Sequence, residues 1–169
     1  MCQHHRRELR RNALRQLGSL GLAPFLLSPL ALALTGCNKE ADLAEGMAPI
    51  KFDRDTCTRC SMVISDRRFA GQIRGGPKDT VFKFDDVGCL IFWLRDKAEA
   101  YPWLADASTR MWIADLSSKP GATIWHDPRL AHYLNKLSPM GYNYAAVAAP
   151  QAGSLDFAGM RDRVLAKGK

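Results

Sequence analysis

Phe82-Lys83-Phe84-Asp85-Asp86-Val87-Gly88-Cys89-Leu90-Ile91-Phe92-Trp93-Leu94 changes character part-way along. Residues 80–84 read as a strand. Asp85 or Asp86 then offers a side-chain oxygen to the free N–H groups that open a helix. Beyond them, apolar residues at 87, 90, 91 and 94 share one helical face. The spacing predicts a helix to about residue 98, with Cys89 one turn inside it. A strand running through a cap into a helix predicts a mixed chain of strands and helices.

On the N-terminal side, residues 69–74 read as a strand, and Gly75-Gly76-Pro77-Lys78-Asp79 is a strong turn signal that makes 69–84 a hairpin. A further short strand is expected at 62–65. On the C-terminal side, strands are expected at 110–116, 122–125 and 143–148. Helices are expected at 127–136, with Pro128 in the first turn, and at 154–166. The elements thus come as two strands, a helix and a strand, roughly twice, although no clear repeat is visible in the residues.

The chemistry concentrates in Cys57-Thr58-Arg59-Cys60-Ser61-Met62, with three sulfur side chains in six residues. Thiolate and thioether are soft ligands that select Cu(I), zinc or iron–sulfur clusters over magnesium or calcium. Thioether is not a usual zinc ligand, so a Cys/Met set leans toward Cu(I). If 60–62 is extended, Cys60 and Met62 face the same way. If it turns, Cys57 and Cys60 meet.

A CxxC is equally compatible with a redox pair or a structural disulfide, and Met62 with a gap-filling core residue. A zinc ribbon needs a second CxxC or an HxxxH, and neither is present. A thioredoxin-like CxxC opens a helix, whereas Met62-Val63-Ile64 reads as a strand. Cys89 is a candidate third ligand or a buried structural thiol. Met140, beside Gly141 in a predicted loop, is a candidate open sulfur or a packing residue. His126 and His132 each suit a surface or core role as readily as a ligand role.

Residues 1–15 hold five arginines against one acid, and 16–36 are uncharged and apolar, as in a secretory signal peptide. Leu34-Thr35-Gly36-Cys37 resembles the bacterial lipobox. The expectation is cleavage after residue 36, a lipid on Cys37, a flexible tether over 37–49 and a folded body over 50–169. The body divides into halves at about 50–108 and 109–169.

Five of the 24 basic and one of the 17 acidic residues lie in the leader. The high pI is therefore largely the leader's, and no Arg/Lys stripe points to nucleic acid. Cys57, Cys60 and Cys89 remain, an odd number for an oxidising compartment, so at least one thiol is free or bound to something. No catalytic triad or phosphate-binding Gly-rich loop is present, and no catalytic residue is assigned. The enzymatic alternatives are a thiol-disulfide oxidoreductase using Cys57 and Cys60, or a thiol-metal lyase using Cys60, Cys89 and Asp86.

The order of motifs resembles the NosL family of copper-binding lipoproteins associated with maturation of nitrous oxide reductase. The residues that carry the resemblance are the lipobox ending in Cys37, Cys57-x-x-Cys60-x-Met62, Lys83-Phe84-Asp85-Asp86-Val87-Gly88-Cys89 and Ser138-Pro139-Met140-Gly141-Tyr142. The family motif commonly has Gly where this chain has Ser61. The resemblance implies an α+β fold of two similar ββαβ units and a periplasm-facing, lipid-anchored Cu(I) carrier of denitrifying metabolism. Its partner would be apo nitrous oxide reductase or the maturation machinery. It implies copper ligation by Cys60 and Met62, with Cys57 as a helper, and leaves the third ligand open among Cys57, Cys89, Met140 and a histidine.

Overall fold

The computed structural model describes residues 43–168, which belong to one compact unit. The leader over 1–36, the lipidation residue Cys37 and the start of the tether lie outside the described residues. The hairpin is present as β1 (Gly71–Gly75) and β2 (Thr80–Phe84), antiparallel with Gly71 opposite Phe84. The other edge of β1 pairs with β3 (Arg110–Ala114), which pairs with the short β4 (Trp125–His126). The four-stranded sheet runs β2-β1-β3-β4.

Helix α1 (Val87–Asp96) begins where the sequence places it. Asp86 is the N-cap, its Oδ1 accepting the Gly88 N–H at 2.8 Å. The helix packs on β1 and β2. Val87, Leu90 and Ile91 are buried as the apolar stripe predicts, but so are Gly88, Cys89 and Phe92. The first two turns are therefore covered on every side. The extra cover comes from the Cys57–Met62 loop and the segment 138–142. A turn of 3-10 helix, Pro102–Ala105, follows before β3.

The second half departs from the expected order. The helix predicted over 127–136 is one turn followed by a strand. The Asp127 carbonyl accepts the N–H groups of Leu130 and Ala131, and the chain then extends into β5 (His132–Asn135). Strand β5 pairs antiparallel with β6 (Tyr144–Val147) in a separate two-stranded sheet, and Tyr133 makes reciprocal backbone bonds with Leu155. Tyr133 is fully buried, and its hydroxyl donates to the Pro128 carbonyl at 2.7 Å. Long-range pairing has overridden local helical spacing here.

Helix α2 (Phe157–Ala166) closes the chain against α1, burying Met160 and Val164. The sequence after β3 runs β4-β5-β6-α2, so a second ββαβ unit is not formed. The strand expected at 62–65 is reduced to an isolated bridge between Thr56 and Val63. Among the described residues no helix is long and apolar enough to cross a membrane.

Candidate metal centre

The segment from Asp53 to Ile64 folds back on itself. Asp53 N–H donates to the Ile64 carbonyl at 2.9 Å, and Ile64 N–H to the Asp55 carbonyl at 2.9 Å. At its tip Cys57 N–H donates to the Met62 carbonyl at 2.7 Å, and Ser61 N–H to the Cys57 carbonyl at 2.9 Å. Ser61 makes the reversal at φ +62°, a left-handed conformation. The turned alternative for residues 60–62 is therefore the one adopted, and it brings Cys57 and Cys60 together. Met62 leaves the turn on the outside, 56% exposed.

The tip rests on the β2–α1 junction. Thr58 N–H donates to the Lys83 carbonyl at 2.7 Å, and Lys83 N–H returns a bond to Thr58 Oγ1 at 3.0 Å. This seats Cys57 over the first turn of α1, where Cys89 lies. The sulfurs of Cys57, Cys60 and Cys89 all fall within 4.8 Å of one another. Cys57 and Cys89 are buried and Cys60 is half-buried, and all three are free thiols. Three thiolates around an ion at ~2.3 Å stand ~4 Å apart, which this grouping admits.

The three thiols are not equivalent. The Cys89 S–H and the backbone N–H groups of Cys60, Asp85 and Arg59 all point at the Cys57 sulfur, and against burial they pull its pKa down to about 5. Burial pushes the Cys60 thiol up, as does its negative neighbour Cys57. Cys89, donating to Cys57 and buried, is pushed far above the usual thiol range. The group thus holds one stabilised thiolate and two protons that an incoming soft cation must displace. Asp85 beside it is raised to about 6, chiefly by burial.

The predicted candidates separate clearly. Cys89 joins Cys57 and Cys60. Met140 is half-buried, and its N–H donates to Asp86 Oδ2 at 3.1 Å. Neither histidine belongs to the three-sulfur group: His126 Nε2 lies 2.7 Å from Asp115 Oδ2, and His132 is on β5. Two features disfavour the enzymatic alternatives. The CxxC sits in a loop rather than opening a helix. Asp86, which a lyase would need as a proton donor, is pushed up by burial but has both oxygens engaged, Oδ1 by Gly88 N–H and Oδ2 by Ser138 Oγ and Met140 N–H.

Sequence reasoning missed Arg59 and Tyr142. Arg59, between the two cysteines, donates from Nη1 to Tyr142 Oη at 2.8 Å. The buried Tyr142 ring lies against Gly88: a Cβ there would stand 2.0 Å from Tyr142 Cγ. The available signal was the Ser138–Tyr142 motif, whose position in the order of motifs gave no hint that it folds over the cysteines.

No family model matches the chain. The copper-binding lipoprotein NosL of Stutzerimonas stutzeri is 29% identical over 130 residues, covering 75% of this chain and 60% of that protein. The resemblance to the NosL proteins is borne out. The chain thus spans less than two thirds of the length of this NosL. A solved structure, the copper chaperone NosL from Shewanella denitrificans, matches with a TM-score of 0.48 at 16% identity, over 69% of this chain and 87% of that one. The Stutzerimonas stutzeri protein is named for binding copper.

Proposed function

We propose that this chain is a NosL-type Cu(I) carrier, held through Cys37 at a periplasm-facing membrane surface, that delivers copper for assembly of the copper centre of nitrous oxide reductase. The observation that carries the reading is the convergence of Cys57, Cys60 and Cys89. The exposed Met62 lies two residues beyond Cys60 on the same loop. Copper is the cargo. Cys57 and Cys60 hold it, Cys89 closes the buried side, and Met62 supplies a thioether at the solvent side. All-sulfur donors suit Cu(I).

The arrangement suits transfer as well as binding. Two of the sulfurs are buried and one is half-exposed, so an approaching protein's ligand can enter from the Cys60 and Met62 side before the buried thiolates release. Met140 sits nearby in sequence to Tyr142 but has its backbone committed to Asp86, which fits a packing role.

Anaerobic titration of the reduced protein with Cu(I), against a competing colorimetric chelator, tests the reading. The expected result is one-to-one binding. Cys60→Ser should weaken it at least tenfold, which is ~1.4 kcal/mol, and Met62→Leu should weaken it measurably with little change in fold. Stoichiometric Cu(I) binding that survives replacement of both Cys60 and Met62 by Ala would overturn it. Delivery is tested by mixing the loaded protein with apo nitrous oxide reductase and following copper by size-exclusion chromatography.

A further inference from the structure

The three thiols come from two places in the chain that share no covalent rigidity. Cys89 rides on α1, while Cys57 and Cys60 ride on a loop. Their spacing is only as good as the contacts joining loop to helix. At the Cys57 end the loop is held to β2, just before α1, by two hydrogen bonds between Thr58 and Lys83, one of them accepted by Thr58 Oγ1. At the Cys60 end the connection is a side chain, Arg59.

The Arg59 guanidinium engages three groups on or over α1. Nη1 donates to Tyr142 Oη at 2.8 Å, the guanidinium carbon lies 4.6 Å from the centre of the Phe92 ring, and Nε is 3.9 Å from Asp96 Oδ2. Tyr142 is a fixed acceptor. It is 2% exposed, its ring packs on the Gly88 Cα, and it stands 5.5 Å from the Phe92 ring. Its loop is pinned to the cap of α1 by Ser138 Oγ, which donates to Asp86 Oδ2 at 2.5 Å. The brace therefore runs from the residue before Cys60, through Tyr142, to the residue before Cys89.

We propose that Arg59 and Tyr142 are positioning residues of the thiol site, a brace that holds Cys60 at metal-binding distance from Cys89. The proposal deepens the copper-carrier reading and rests on the same site. A planar guanidinium can donate to the hydroxyl and stack on Phe92 at once, which a lysine ammonium cannot reproduce. Partners that orient metal ligands in this way typically control affinity by about tenfold to a hundredfold. Without the brace the Cys60 half of the loop must be ordered on binding, and binding weakens accordingly.

Two conservative variants, Tyr142→Phe and Arg59→Lys, and their combination test this. Tyr142→Phe keeps the ring against Gly88 and removes only the hydroxyl. Each reduced variant is titrated with Cu(I) against a chelator and, separately, with Cd(II), whose sulfur-to-metal charge-transfer absorption grows with the number of bound thiolates. Thermal melting of the metal-free protein is recorded alongside.

Each single variant should lose about tenfold to a hundredfold in Cu(I) affinity. Its Cd(II) absorption should fall toward that of a two-thiolate site. The double variant should be no weaker than the weaker single, because Tyr142→Phe removes only the hydroxyl contact that Arg59→Lys already disturbs. Wild-type affinity and Cd(II) absorption in both single variants would overturn the proposal. So would melting points that fall while both metal readouts stay unchanged, or a failure of both variants to fold, since the residues would then serve stability alone. If one variant fails to fold, the other decides. A wild-type protein that binds Cd(II) through three thiolates but not Cu(I) would refute the copper reading while leaving the brace to be judged on Cd(II).

Discussion

Gly88 and Ser61 carry opposite backbone demands on the two sides of the thiol group. At Gly88 the demand is space. A methyl group would stand 2.0 Å from Tyr142 Cγ, and a buried ring cannot yield as a flexible side chain would. Gly88→Ala should destabilise the fold by about 1–3 kcal/mol, read as a lowered urea midpoint. It should also weaken metal binding, because the displaced ring carries the hydroxyl that Arg59 holds. At Ser61 the demand is conformation. Its φ of +62° is a region that L side chains enter at a cost and glycine does not. Ser61→Gly should leave the thiols in place and raise stability by up to about 1 kcal/mol, after the extra freedom glycine gains in the unfolded chain is subtracted. A fall in urea midpoint for this variant would show that the Ser61 side chain makes contacts outweighing the strain. At this scale the site was half legible. Sulfur spacing pointed to Cys57 and Cys60, which the structure brings together, because they are adjacent. Cys89 could be placed in a helix but not against the others, since helical phase says nothing of what covers a helix on its second face.

Helix α1 depends on Asp86 for more than its start. The carboxylate accepts the Gly88 N–H through Oδ1, and Ser138 Oγ and the Met140 N–H through Oδ2. It is fully buried, so these three donors have little water to turn to if it is removed. Asp86→Ala should cost about 0.5–2 kcal/mol for the lost cap, and about 1–3 kcal/mol more for each donor left buried and unpaired. Asp86→Asn retains acceptor oxygen at one position only and should fall between the two. Urea unfolding of both variants gives the order, and an Ala variant as stable as Asn would show that the 138–142 loop finds other partners. The cap and the apolar stripe made α1 readable from residues alone, because both signals are local. The region 127–136 was misread for the converse reason. Pro128 and helical spacing of apolar residues describe one turn correctly, but β5 exists through Tyr144–Val147 and Leu155, which no window of ten residues contains. The strand expected at 62–65 failed similarly: Val63 and Ile64 are the return arm of the cysteine loop, bent away by Ser61.

Across the whole molecule, the larger and smaller sheets meet at the end of β3, and Asp115 is the joint. Its backbone N–H donates to the Ile124 carbonyl at 2.9 Å, and its neighbour Leu116 donates to the Ala146 carbonyl of β6 at 2.8 Å. Its side chain accepts from Ser117 N–H at 2.7 Å and Ser117 Oγ at 2.6 Å, and Oδ2 lies 2.7 Å from His126 Nε2 on β4. Burial alone would push this carboxyl up, but the Ser117 and His126 hydrogen bonds and the His126 charge outweigh it and hold the carboxyl below the ordinary 3.8. A carboxylate whose folded pKa is depressed contributes stability that is present above its unfolded pKa and lost as pH falls through its folded pKa. The joint is therefore expected to loosen in acid, below about pH 4, with β4 and the β5–β6 sheet parting from β3. Asp115→Asn removes the titration while keeping the shape. At neutral pH it should be less stable by about 1.5–3 kcal/mol, the worth of hydrogen bonds to a charged group. The gap to wild type should close as pH is lowered past 4. Urea unfolding of both proteins over an acid pH series makes the comparison. A gap that stays constant down to the acid limit would mean that Asp115 contributes packing rather than charge, and that the two sheets are joined by backbone bonding such as Leu116 to Ala146.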